Sequence, residues 1–190
     1  MQFSSNARHS RNGFQLRNSV YWNERYSNFF SMNIFFLHTD PKKCAEYHFD
    51  RHVVKMILET CQLLCSVWLF FDPDHLNFKP PYKMSKGHMK HPMAIWVRSS
   101  EDNYIWLCAL GKRLCEEYTF RYGKIHKSQQ YIHLLRDNVP VFSNRQFTHP
   151  PLCMPDDYKL ITVVESYRNY YKNGKKHLHK WKKRDVPFFI

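Results

Sequence analysis

The sequence predicts a mostly α fold, a compact single-domain helical bundle around one long central helix (about 41–70) behind a short extended lead-in. Three observations predict it. Residues 41–70 carry apolar side chains around most of a helical circumference, opened by Pro41 and closed by FDPDH. A second apolar and aromatic stretch begins at HPMAIWV, pauses at Arg98-Ser99-Ser100 and runs on to Gly123. Neither stretch alternates with strand-like segments, so no βαβ unit is implied.

The elements follow in order. Residues 33–37 (NIFFL) read as a short strand or an extended lead-in. Asp40 or Thr39 caps the long helix, and Pro41 suits its first turn because no amide hydrogen is needed there. Residues 76–92 form a basic, proline-containing loop. Ser99 and Ser100 are caps for a helix over 101–122, and Gly123 is its stop. Residues 126–138 predict a shorter helix. The four prolines within 138–155 predict a loop laid over the surface, and 156–173 a last main helix stopped by Gly174. The tail from Lys175 is basic with an apolar end. Residues 1–31, rich in Asn, Ser and Arg, read as a mobile basic extension, and 32–190 as one helical domain.

Composition narrows the function. The chain has 190 residues and a net charge of +13, from 29 Lys and Arg against 16 Asp and Glu. Such an excess favours a polyanion, above all nucleic acid. No apolar run reads as a membrane span and no cleavable leader is evident, so the expected location is intracellular, the host cytoplasm or nucleus if the protein is viral. The six cysteines, without a C-x-x-C, read as reduced core thiols.

The most informative stretch is HFDRHVVKMILETCQLLCS, residues 48–66. His48, His52, Lys55, Glu59, Gln62 and Ser66 are separated by steps of four, three, four, three and four. At 100° per residue they fall in a strip roughly 80° wide, with Arg51 beside it. A narrow polar seam on an otherwise apolar helix suits a central helix facing a cleft. Lys55 and Glu59 are one turn apart and can pair, and the histidines can exchange protons near neutral pH. Three readings are open: a solvated flank, a row lining a substrate slot, and a metal site built from His48, His52 and Glu59. Lys55 argues against the metal, since it would repel a cation. No cofactor is implied.

A second cluster lies in MKHPMAIWVRSSEDNYIWL, residues 89–107. Arg98 beside Ser99 and Ser100 at a helix start resembles a phosphate seat, with His91 and Asn103 nearby. Trp96, Tyr104 and Trp106 either stack on a base or fill the core, and the core reading is favoured for the tryptophans. Lys180, Lys182 and Lys183 of the tail, with Lys79, Lys83, Lys86 and Lys90, are placed to follow a phosphate backbone.

From Met32 onward, TDPKKCAEYHFDRHVVKMILETCQLL, KHPMAIWVRSSEDNYIWL, EEYTFRYGKIH, MPDDYKL, ESYRNYYKNGKKH and KWKKRDVPFF resemble an uncharacterised family of small helical proteins of bacteriophages and large DNA viruses. More distantly, the order of lead-in, His-containing charged helix, H-P element, aromatic helix and Tyr-rich basic end is similar to the phage-type pyrimidine-dimer DNA glycosylases of the endonuclease V type. That similarity implies a nucleophilic amine from a processed N-terminus with a glutamate nearby. Here it implies Glu59 for the glutamate and, with 31 residues ahead of Met32, Lys55 for the amine. The expected function is therefore an enzyme acting on a base or sugar in DNA, glycosylase/lyase-like or base-modifying. Lys55, Glu59, His48 and His52 would do the chemistry. Arg51, Gln62, His91, Arg98, Ser99, Asn103, Lys180, Lys182 and Lys183 would hold the nucleic acid. The alternatives are a non-catalytic basic nucleic-acid-binding or packaging protein, and a metal-dependent hydrolase using His48, His52 and Glu59.

Overall fold

The computed structural model describes residues 33–190. The chain divides into Met1–Ser31 and Met32–Ile190, and the described residues belong to the second unit. The expected extension 1–31 lies outside the described residues. Among those residues the secondary structure is helical: α1 Pro41–Tyr47, α2 Asp50–Phe71, α3 Lys86–Met89, α4 Pro92–Arg98, α5 Glu101–Tyr122, α6 Gln129–Asp137 and α7 Val163–Asn169. The expected helical bundle is thus observed. The lead-in 33–37 is extended but pairs in no ladder, and its Ile34, Phe35, Phe36 and Leu37 are core residues.

The long helix is two helices. Asp40 caps α1 by accepting the Lys42 amide, and Pro41 sits in the first turn as the sequence indicated. The helix then stops at Tyr47, and His48 and Phe49 are extended before α2 begins. The cause lies far away in sequence. Arg121, fully buried on α5, donates to the carbonyls of Glu46 and His48. The Phe49 amide donates to the Tyr171 hydroxyl and the Asp50 amide to the Lys180 carbonyl. Backbone groups that a continuous helix would use internally are satisfied by other elements, so the break leaves few orphans.

The α2 helix, 22 residues with a hydropathy of 1.6 in its most apolar window, is long and apolar enough by length and composition to cross a membrane, which the sequence reading did not expect. In the fold, 67% of that window is buried, and α2 packs on α4, α5 and α6 as the core helix. It meets α5 closely at Gly111, where an added Cβ would lie 2.9 Å from the Thr60 methyl and 3.0 Å from Ile132 Cδ1. Asp72 ends α2 by accepting the amides of Leu76, Asn77 and Phe78. The pause between α4 and α5 and the Gly123 stop appear as expected, Gly123 adopting φ +66 with its amide on the Thr119 carbonyl. Ser100 occupies the N-cap of α5 but makes no side-chain cap bond there.

The expected last helix 156–173 begins late. One 3-10 turn, Asp156–Tyr158, precedes an extended segment, and Thr162 caps α7, which passes into a π turn over Tyr170–Gly174. The basic tail is not free. Trp181 donates to the Tyr47 carbonyl, the Lys182 amide to Asp50, and Arg184 to both oxygens of Glu117. Arg121 completes the network with Asp50 at 3.0 Å and Glu117 at 2.7 Å.

Candidate active site

The exposed side of α2 carries Arg51, Val54, Lys55 and Leu58, with Gln62 half-buried beyond them. At its shoulder stands Glu59, whose side chain is only 5% exposed although that of Lys55 is 54% exposed. Lys55 Nζ lies 2.9 Å from Glu59 Oε1. The backbone N–H of Asn33 donates to Glu59 Oε2, also at 2.9 Å. Asn33 is held there by its side chain, which donates to the Cys153 carbonyl at 3.0 Å. One carboxylate thus gathers a lysine amine and the first described backbone nitrogen. Spacing along α2 foretold the lysine. Nothing local foretold Asn33, because the contact joins segments 26 positions apart.

The structure divides the rest of the seam. His48 is off α2 altogether and buried in the core. Its Nδ1 lies 2.7 Å from the Cys44 carbonyl and so carries the proton, while the buried Nε2 has no partner. Burial lowers its pKa from 6.5 to about 4, helped by the Arg121 charge and opposed by the bond to Cys44. His52 is on α2, clamped between Phe35 (4.3 Å between centroids) and Phe49 (4.0 Å), with Nδ1 2.9 Å from the Tyr171 hydroxyl. Burial first, then the charges of His48, Lys175 and Lys55, hold its pKa well below 6.5. Both rings are neutral at neutral pH. Ser66 is buried and spends its hydroxyl on the Leu63 carbonyl. The trio His48, His52 and Glu59 is not assembled, and among the described residues no group of three or more His, Cys, Asp and Glu is placed to hold a metal ion.

The second cluster is a joint between helices. Arg98 donates to the Met89 carbonyl at 2.6 Å and lies 4.5 Å from the Phe70 ring centroid. Phe70 is about 16 Å along α2 from Glu59, so Arg98 is not brought together with Lys55 and Glu59. His91 caps α4 by accepting the Met93 amide. Ser99 donates to the Trp96 carbonyl. Asn103 is fully buried, bonded to Trp96, Ser99 and Thr148. Trp96 and Tyr104 are core residues, as favoured for the tryptophan. Lys180, Lys182 and Lys183 are exposed. Lys183 Nζ donates to the Phe120 carbonyl near the end of α5, a favourable place for a cation, and Lys182 Nζ lies 5.5 Å from the Tyr122 ring centroid.

Residues 32–131 match the family model described as pyrimidine dimer DNA glycosylase. The chain belongs to the pyrimidine dimer DNA glycosylase family. The matched span begins beside Asn33 and contains Lys55 and Glu59. Membership makes the chain a DNA glycosylase-type protein with DNA as its partner, in keeping with the more distant of the two resemblances seen in the sequence. No curated protein and no solved structure matches it.

Proposed function

We propose that this pyrimidine dimer DNA glycosylase family member cuts the N-glycosidic bond of a damaged pyrimidine through an amine held against Glu59. The observation that carries the reading is the pair of 2.9 Å contacts that place Lys55 Nζ and the Asn33 nitrogen on the two oxygens of one buried carboxylate. An amine attacking C1′ of the deoxyribose forms an N–C1′ bond as the glycosidic bond breaks; the base takes the bonding pair and, in a dimer, stays tied to the neighbouring pyrimidine. The Glu59 carboxylate accepts the proton lost by the amine and stabilises positive charge on the sugar. Opening of the sugar ring, with the C1′–O4′ pair going to O4′, leaves an imine between enzyme and DNA.

Two nitrogens suit this role in two forms of the protein. In the full chain Asn33 N is a peptide nitrogen, whose lone pair is delocalised into the carbonyl and does not attack. Lys55 is then the amine. In a chain opened between Met32 and Asn33, the Asn33 α-amine takes the same position. An ordinary α-amine, with a pKa of about 7.7–8.0, has a far larger neutral fraction at pH 7 than an ordinary lysine at about 10.4. That form accords with the resemblance to glycosylases that use a processed N-terminus.

Glycosidic-bond cleavage in a duplex carrying a single pyrimidine dimer, read as the abasic sugar formed, tests the assignment. Glu59→Gln lowers kcat by about 10²-fold or more while leaving duplex affinity nearly unchanged. Lys55→Ala does the same in the full chain. Full turnover by Glu59→Gln contradicts the assignment. A family member that only binds would show unaltered DNA affinity in both variants and no turnover in the parent protein.

A further inference from the structure

We propose that Tyr167 is a positioning residue for Glu59, acting through the 151–153 loop and the side chain of Asn33. The inference rests on the glycosylase reading above and deepens it, and Tyr167 lies outside the span that the family model matches.

A carboxylate serves as a base only while its oxygens stay aimed at the amine, and a misplacement of about 1 Å can cost about 10²-fold in rate. Glu59 is held by two contacts of different kinds. Lys55 reaches it with a long side chain that is half exposed. The other contact is the backbone N–H of Asn33, which fixes the carboxylate only as firmly as residue 33 is itself fixed. Asn33 lies in an extended segment outside any helix. Its side chain is anchored by the 3.0 Å bond from Nδ2 to the Cys153 carbonyl, while the buried Oδ1 has no partner among the described residues.

Cys153 belongs to an irregular loop, so its carbonyl needs a support of its own. Tyr167, fully buried on α7, supplies it. Its hydroxyl donates to the Pro151 carbonyl at 2.6 Å and accepts the Cys153 amide at 3.4 Å. Its ring meets Phe35, two residues beyond Asn33, edge to face with 6.2 Å between centroids. Tyr167 therefore touches both segments that Asn33 joins, the loop with its hydroxyl and the lead-in with its ring. The next residue, Arg168, donates to the Leu37 carbonyl at 2.9 Å and secures the far end of the lead-in. Burial holds the Tyr167 pKa well above 10, so the hydroxyl remains a donor near neutral pH. The bonds form one continuous series, from Tyr167 to the loop, from the loop to Asn33 and from Asn33 to Glu59.

Tyr167→Phe in the full chain tests the series. It keeps the ring, and the Cys153 amide retains its 3.0 Å bond to the Pro151 carbonyl, so no buried amide is orphaned. Two quantities are read. One is kcat, with KM and duplex affinity, for glycosidic-bond cleavage in a duplex carrying a pyrimidine dimer. The other is alkylation of Cys153 by iodoacetamide. The remaining five cysteines are buried, and burial pushes the Cys153 thiol up to about 11, so the parent reacts slowly. Tyr167→Phe is expected to lower kcat about fivefold or more, to leave KM and affinity within about threefold, and to speed alkylation. Asn33→Ala, which cuts the next link, lowers kcat about tenfold or more. The double variant is no slower than Asn33→Ala alone, because the two residues act in series. Parental kcat in Tyr167→Phe overturns the proposal whatever the alkylation rate. So does a fall in kcat without faster alkylation, a loss carried by affinity instead of kcat, or losses that multiply in the double variant. In each case the parent still cuts the glycosidic bond and the glycosylase reading stands. A parent that cuts no glycosidic bond ends both.

Discussion

At the scale of single residues, His48 shows how burial reverses an expectation drawn from residue type. A histidine on a polar seam reads as a proton relay. In the fold it is a neutral ring inside the core, with its pKa lowered from 6.5 to about 4. Between those values the unfolded chain binds a proton that the folded chain refuses. Stability is therefore full above about pH 6.5 and is lost as pH falls toward about 4, by up to about 3 kcal/mol. His52 is shifted in the same direction. Urea unfolding measured between pH 4 and 7 should show this loss, and His48→Gln should flatten it; a pH-independent parent would contradict the burial argument. The Lys55–Glu59 pair, by contrast, was legible from its spacing, because one helical turn fixes which side chains meet. Asn33 was not legible as a partner of Glu59, since only the packing of the lead-in against α2 brings them together.

At the scale of elements, local signals were sufficient wherever the cause was local. Asp40 and Pro41 start α1, and Gly123 stops α5, as the sequence indicated. The break between α1 and α2 had no such signal, because Arg121, Tyr171 and Lys180 supply its hydrogen bonds from elsewhere in the chain. The pair Glu117 and Arg121, one turn apart on α5, was the trace that the sequence did offer. Arg121→Met leaves Asp50 and Glu117 without their buried partner and should cost about 3–5 kcal/mol in chemical denaturation. A loss below about 1 kcal/mol would show that the network does not hold the break. Gly111→Ala drives a methyl into Thr60 and Ile132 and should cost about 1–3 kcal/mol if the helices cannot part.

At the scale of the whole molecule, the +13 charge predicts the partner and the tail shows how charge is presented. Backbone bonds to Asp50 and the Arg184–Glu117 pair pin the tail, so the exposed Lys180 and Lys182 side chains can change without loosening it. Duplex affinity should fall linearly on a log–log plot against salt, with a slope of about −0.9 per phosphate contacted. Lys180→Ala and Lys182→Ala should each reduce that slope by about one. An unchanged slope in both would place the DNA elsewhere. The helical class and the basic, DNA-directed character were readable from period and composition. The location of the chemistry was only half readable, because one of its two nitrogens comes from the lead-in.

The most direct test of the account is borohydride trapping on dimer-containing DNA, followed by peptide mapping of the covalent adduct. The account predicts a reduced adduct on Lys55 in the full chain and on the Asn33 α-nitrogen in a chain that starts there, both lost in Glu59→Gln. Glycosidic-bond cleavage without any trapped adduct, or an adduct on a residue remote from Glu59, would contradict it.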